Sequence, residues 1–364
     1  MRNHAPDRIR SRGVWCARAL AFLLLLVVAG AASAIASSPV DTGPHEVIAP
    51  AGVQADRIGQ LWNLFLAITT LVTLAVFAVF AFVLWRTPRA EADAPADLSS
   101  LGRHEAGAYR SVVGGVAVSI ALLLVLLAAS VWTDRALARI TLADALNIRV
   151  TGHQWWWEAR YGPAADEPVS NQFVTANELH VPVGRPVIVT LTGADVIHSL
   201  WVPSLAGKKD LIPGRTAKLE FRADRPGVYR GQCAEFCGYQ HAYMGFQVFA
   251  DAPSDYAAWE ARQQLETGTP TDATLQHGEQ VFLGSTCIMC HTVNGTTAQA
   301  NFGPDLTHVG GRTTLAAGML RNTPQDLKRW ISDPQKIKPG VNMPASTLSD
   351  ADLDALVAWL GSLK

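Results

Sequence analysis

The chain has 364 residues, 30 Lys and Arg against 31 Asp and Glu, and a hydrophobic share of 49%. Its length leaves room for two or three domains. The near-zero net charge of −1 excludes a protein that holds nucleic acid by phosphate neutralisation, and the apolar content excludes a disordered chain.

Residues 1–34 read as a secretory signal peptide. Basic residues from Arg2 to Arg18 precede the apolar stretch AFLLLLVVAG, and Ala32-Ser33-Ala34 offers small residues for cleavage. Cys16 lies before the apolar core and leaves with it. Two uncharged apolar runs follow at 61–85 and 111–132. Each is long enough to cross a hydrocarbon layer of about 30 Å as a helix, so residues 35–135 form a two-helix transmembrane hairpin. Arg86, Arg89, Arg103 and Arg110 place its connecting loop in the cytoplasm and both tails outside.

From residue 136 the pattern changes. LHVPVGRPVIVTLTG, AKLEFRA and GFQVFA are short, β-branched and punctuated by Gly and Pro, which predicts a small β-sandwich or barrel over 136–250. Residues 251–272 hold a helix (DYAAWEARQQLE) and a loose Thr/Gly/Pro linker. Residues 273–364 read as a few helices with long loops. In the closing segment Ser349 and Asp352 form a capping-box pattern, and Leu353, Leu356, Trp359, Leu360 and Leu363 share one face.

Four cysteines remain after the signal peptide, in two pairs. Cys287-Ile288-Met289-Cys290-His291 is the attachment signature of a c-type haem, with two thioethers on the porphyrin and His291 on the iron. A zinc knuckle would need a second ligand pair, yet the only later histidine is His308. A sixth iron ligand is expected from Met343 in Val341-Asn342-Met343-Pro344, because Pro344 keeps that thioether on a loop. Met319, in an apolar run, is expected to pack as core.

The first pair lies among different neighbours. Cys233, Cys237, His241 and Met244 fall within a dozen residues, and His198 sits at the end of an earlier strand region. Thiolates, imidazoles and a thioether form a soft ligand set suited to copper. A mononuclear blue-copper site uses one Cys; two Cys, two His and a Met fit two coppers bridged by both thiolates. A local disulfide competes with this reading, and the spacing of His241 and Met244 counts against it.

From Gly152 to Met244 the chain resembles subunit II of cytochrome c oxidases, whose metal centre is CuA. The resemblance is carried by Gly152-His153-Gln154-Trp155-Trp156-Trp157, Asp195 to Trp201, Val202-Pro203-Ser204-Leu205, Lys209 to Arg215 and the loop from Gly231 to Met244. The preceding hairpin matches in position, and a fused haem domain marks a bacterial variant. The resemblance implies a multi-domain fold: the hairpin, a β-sandwich/barrel of cupredoxin type, then an all-α c-type cytochrome domain over 273–364. It implies dinuclear copper on His198, Cys233, Cys237, His241 and Met244 with the Glu235 carbonyl, and haem c on Cys287, Cys290, His291 and Met343.

It further implies that the Glu235 carboxylate reaches a magnesium ion at the border with subunit I. Trp155 is implied on the electron-input surface and Asp210 in support of the subunit border. The implied partners are oxidase subunits I and III, a soluble or membrane-bound donor such as cytochrome c, and the membrane, with no nucleic acid. The implied place is the bacterial inner (plasma) membrane, with copper and haem domains on the periplasmic side. There the chain would accept electrons at its haem and pass them through CuA to subunit I, where oxygen becomes water. A nitric oxide reductase with a CuA-bearing subunit is the alternative. One stretch departs from the family: His104 to Ser111 lacks the usual Leu-Glu and Trp-Thr, which leaves a proton-path role for Glu105 unsupported.

Overall fold

The computed structural model describes residues 47, 49–87, 105–162 and 172–364. The signal peptide expected over 1–34, and Arg89 and Arg103 of the loop, lie outside the described residues.

Two long helices come first, α1 (Val53–Arg86) and α2 (Ala106–Leu137). Both are apolar all round, so neither has the polar stripe of a helix on a soluble core. They pack on each other, but Leu71, Leu74, Phe77, Phe80, Leu123 and Leu127 remain exposed along them. Both are long and apolar enough to cross a membrane. The helices extend beyond the expected runs at both ends, because helical backbone continues into polar turns. Thr87 leaves helical geometry, as a residue before Pro88 tends to.

The start of α1 is tied to the next domain by the backbone. Ala51 N–H donates to Ser204 O (2.7 Å), Ala55 N–H to Leu205 O (3.2 Å), and Arg222 N–H to Gln54 Oε1 (3.1 Å). A Cβ on Gly52 would lie 2.6 Å from Arg222 O, so the close approach requires glycine.

That domain is a sandwich of two five-stranded sheets. One has the order β3 (Phe173–Ala176), β2 (Trp156–Tyr161), β1 (Leu146–His153), β5 (Val187–Gly193), β8 (Ala217–Phe221). The other runs β4 (Glu178–Pro182), β10 (Gly245–Asp251), β9 (Gly227–Cys233), β6 (His198–Trp201), β7 (Lys209–Leu211). The pairs β1–β5 and β4–β10 are parallel and the rest antiparallel. Burial alternates along β1 and β5, as a two-residue period demands of a half-buried strand. The inward set, including Ile148, Val150, Trp157, Val189, Leu191, Leu200, Phe246 and Val248, fills the space between the sheets.

Helix α3 (Pro253–Gln263) lays Trp259 against Tyr161, Phe173 and His180. The linker that follows is less free than its composition suggests: Thr267 N–H and Oγ1–H both donate to Asn294 O (3.0 and 2.6 Å).

The C-terminal domain contains α4 (Ala273–Gly284), α5 (Pro324–Ser332), α6 (Pro334–Ile337) and α7 (Asp350–Ser362). Asp272, Thr323 and Ser349 cap α4, α5 and α7 with side-chain oxygens. Ser349 Oγ accepts from Asp352 N–H (3.2 Å), the first half of the expected capping box, but the Asp352 carboxylate takes the Ser349 hydroxyl proton (2.7 Å) in place of the Ser349 backbone N–H. Helices α4 and α7 meet at Gly278, where a Cβ would lie 2.2 Å from Ala355 O. Phe282, Leu353, Leu356, Trp359, Leu360 and Leu363 form the core beside that crossing. A short antiparallel pair, β11 (Thr314–Leu315) and β12 (Leu320–Arg321), adds to the helical framework.

Candidate metal centre and haem-attachment site

Strand β9 ends on Cys233 and β10 begins at Gly245, so the loop between them carries Glu235, Cys237, His241 and Met244. Strand β6 begins at His198 and pairs with β9, setting Leu200 opposite Cys233. Register therefore delivers the distant histidine to the cysteine loop. The loop is closed at its base, where Cys233 N–H donates to Met244 O (3.0 Å) and Ala234 N–H to Ser199 O (2.9 Å). Gly238 turns at φ +113°, and a Cβ there would lie 2.9 Å from Gln154 Nε2.

All six residues expected at the copper site converge. The Cys233 and Cys237 sulfurs are 3.8 Å apart, well beyond the roughly 2 Å of a disulfide. His198 Nδ1 is 3.9 Å from Cys233 Sγ, and Glu235 O is 3.2 Å from it. His241 Nδ1 and Met244 Sδ each lie 3.7 Å from Cys237 Sγ. The donor atoms of His198, Cys233 and Cys237 all fall within 4.8 Å of one another. Two sulfurs, two imidazoles, a thioether and a carbonyl in one cluster, buried except at the half-buried His241 and Glu235, fit soft metal ions.

The surroundings hold these groups in place. Asp195 Oδ1 lies 2.8 Å from His198 Nε2 and accepts from Val196 N–H (2.7 Å), while its Oδ2 accepts from Gln154 N–H (2.6 Å). This anchor leaves Nδ1 of His198 facing the thiols, with the Asp195 carboxylate behind the ring fixing the orientation of a ligating imidazole. Gly152 allows β1 to press on the ring: a Cβ would be 2.8 Å from His198 Cδ2. Burial opposes charge on His198, but Cys233 and Asp195 outweigh it and raise its pKa. Cys237 beside it, and then His198, favour the Cys233 thiolate against burial, and that thiolate in turn raises Cys237. A metal ion held by both sulfurs would displace the thiol protons.

Trp155 is not at the solvent surface. It is 9% exposed, its Nε1–H donates to Cys237 O (3.0 Å), and Gly340 of the C-terminal domain packs over its ring.

In the C-terminal domain, Cys287 lies in a 3-10 turn (Thr286–Met289) directly after α4. His291 N–H donates to Cys287 O (3.0 Å) and Gly303 N–H to Cys290 O (2.7 Å), which folds the attachment motif onto the following loop. His291 Nδ1 lies 2.7 Å from Pro304 O, a bond that makes Nδ1 the donor and leaves the Nε2 lone pair for a metal. Gly303 is required beside the ring, since a Cβ would be 2.6 Å from Cε1. Cys287 and Met343 pack against the same apolar core, and Gln335 Nε2–H holds the Met343 carbonyl (3.1 Å). Met289 is exposed, and Met319 is half-buried beside β11. His308 is engaged with Leu265 O (3.2 Å). Arg312 Nε is buried without a hydrogen-bond partner, a donor suited to a carboxylate such as the haem carries. The donor set fits a covalent haem.

Sequence reasoning gave no role to Asp195, Pro304, Gln335 or Lys338. The three-residue step from Asp195 to His198 is a signal for the first; the others have none in the chain.

A buried paired-thiol centre on a β-sandwich, joined to an apolar helical hairpin and a haem-attachment domain, defines an electron-transfer protein of the membrane-anchored class. The family model described as cytochrome c oxidase subunit II, periplasmic domain, matches residues 146–250, and that of cytochrome c matches 275–364. A cytochrome c oxidase subunit 2 of Alkalihalophilus pseudofirmus is 36% identical over 321 residues, covering 86% of this chain and 90% of that protein. Proteins of the same name from Bacillus sp. strain PS3 (30% over 277 residues, 71% and 75%) and Cereibacter sphaeroides (31% over 249 residues, 59% and 78%) are also similar. The chain belongs to the cytochrome c oxidase subunit 2 family, with a cytochrome c domain at its C-terminus. The copper domain of that family implies CuA and the cytochrome domain implies haem. These relatives give the nitric oxide reductase alternative no support.

Proposed function

We propose that this chain takes electrons into its C-terminal haem domain and delivers them through its copper domain to the oxygen-reducing subunit I of a bacterial haem–copper oxidase. When bound, the covalent haem and the paired coppers supply two one-electron redox couples. The reading is carried by the convergence of six donors from one loop and the two strands β6 and β9. Cys233 and Cys237 would hold the copper through their thiolates, His198 and His241 through one imidazole each, Met244 through its thioether and Glu235 through its carbonyl. In the haem domain Cys287 and Cys290 would anchor the porphyrin, and His291, through Nε2, and Met343 would supply the iron ligands.

Phe236, Tyr239 and Tyr243 are exposed on the copper loop. Aromatic side chains left in water beside a redox centre suit a protein interface, and subunit I is the partner this surface fits. The half-buried Glu235 carboxylate is then left for magnesium at that border. Helices α1 and α2 anchor the chain in the bacterial inner membrane with both redox domains on the periplasmic side. Subunit III and a cytochrome c-type donor complete the assembly.

The test is Cys237→Ser in the purified complex. Copper should fall from about two per chain and the shared-copper electron paramagnetic resonance signal should vanish, while the haem stays attached. A normal shared-copper signal in that variant would overturn the assignment.

A further inference from the structure

Lys338 follows α6 in the haem domain, yet its side chain ends on the copper domain. It is 2% exposed, and Nζ donates to Trp155 O (2.8 Å), Tyr243 O (2.9 Å) and Ala316 O (3.1 Å). Three carbonyls take up the whole donor set of an ammonium. Burial brings its pKa down to about 7. No carboxylate forms an ion pair with it among the described residues.

The neighbouring contacts run along the same seam. Buried Gln240 donates from Nε2 to Pro339 O (2.6 Å), and Gly245 N–H donates to Ala317 O (3.2 Å). Gly340, at φ +89°, comes close to the Trp155 indole, where a Cβ would be 3.6 Å from Cη2 and 3.7 Å from Cζ3. Val341 packs on the sandwich core. Farther along, the buried Glu178 carboxylate accepts from Thr313 N–H (2.7 Å), Thr313 Oγ1–H (2.6 Å) and Thr314 N–H (3.1 Å).

One short segment therefore reaches both centres. Lys338, Gly340 and Val341 sit on the copper domain, and Met343 packs in the haem-domain core. The Gln335 side chain stiffens the stretch between them by binding Gly340 N–H (2.8 Å), Val341 O (2.7 Å) and Met343 O (3.1 Å). At the copper end, Trp155 is bonded directly to the Cys237 carbonyl.

We propose that Lys338 is a positioning residue that pins the haem domain onto Trp155, so that electrons cross between the two domains in a permanently docked pair. This rests on the copper and haem reading given above. In each crossing the haem domain's centre is oxidised by one electron and the copper domain's is reduced by one; no bond forms or breaks. A domain on a loose tether must find its docking position by diffusion before each transfer. A pinned domain holds the transfer geometry throughout, and transfer slows as the distance between the centres grows.

The experiment uses the full chain in its oxidase complex, with photoinduced injection of one electron into the haem domain and optical detection of its arrival at the copper centre. In Lys338→Met both absorption spectra and the haem potential should match wild type, while internal transfer slows roughly ten-fold or more. Hydrogen exchange at the Gly245 and Thr314 amides should rise, and the slowed rate should depend on solvent viscosity. In wild type the rate should be independent of viscosity, a measurement that needs no variant to fold. A Lys338→Met rate within about two-fold of wild type, or a wild-type rate that falls in proportion to viscosity, overturns the proposal. Absence of the shared-copper or haem spectrum from wild type would instead defeat the underlying reading of the centres.

Discussion

The copper and haem domains build their sites by different means. In the copper domain, two sheets fix the register that sets His198 beside Cys233, and Asp195, Gly152 and the closed loop hold the remaining geometry. The fold there is complete in its own side chains, with Trp157, Tyr161 and Phe246 filling the space between sheets. In the haem domain, Cys287, Cys290, His291 and Met343 are half-buried on turns and loops between short helices. Those residues pack beside a core whose large members are Phe282 and Trp359 at the α4–α7 crossing. A sandwich can shape a metal site before the metal arrives, whereas short helices joined by long loops need something large to pack around. The copper domain should therefore fold without its metal, and the haem domain should depend on its covalent group.

The sharpest way to break that comparison is to block haem attachment. With Cys287 and Cys290 both changed to Ala, hydrogen exchange across α7 should approach that of an unfolded segment, because a domain of this size has little apolar area to spare. Exchange in β1, β5 and β10 should stay slow, and the copper signal should persist. Protection of α7 without attached haem would show that the two domains do not differ in this respect.

A smaller effect is expected from the two candidate methionines. Met343→Ala should lower the haem potential and remove the weak sulfur-to-iron absorption band of the oxidised state. Met319→Ala should keep that band and cost less than about 2 kcal/mol, because the side chain is half-buried. The reverse outcome, read from a redox titration and the oxidised spectrum, would transfer the ligand role to Met319.

The smallest effect concerns the cap of α7. The Ser349 hydroxyl, and after it His277, hold the Asp352 carboxyl below its usual range. A depressed folded pKa contributes stability that is present above about pH 4 and is lost as pH falls through the lowered folded value. Ser349→Ala should lower the thermal midpoint of the haem domain near neutrality. The gap in thermal midpoint between variant and wild type should narrow in acid. A gap that stays constant down to acid pH would leave only the uncharged cap bond, from Asp352 N–H to Ser349 (3.2 Å), at work.

Much of this was legible in the chain because the chemistry is local. Cys233, Cys237, His241 and Met244 fall on one loop, and Cys287, Cys290 and His291 on one turn, so residue type and spacing alone bring those donors near each other. Composition marked α1 and α2, since an uncharged run of that length has few other fates. Ser349 and Asp352 declared their cap for the same reason: the partners are three residues apart.

What the chain did not disclose depends on residues far apart in it. The chain offered His198 as a donor but not the route that delivers it: it meets Cys233 across 35 positions, and the pairing of β6 with β9 brings its ring to the thiols. Trp155, expected on an open surface, is covered by a segment that arrives 183 residues later with Lys338. In sequence Lys338 is one more basic residue in a polar turn, indistinguishable from Lys336, which ends exposed beside Asp333. Periodicity and spacing encode which face of an element turns inward. They carry no information about which domain will lie against that face, because docking is decided by complementary surfaces that exist only after both domains have folded.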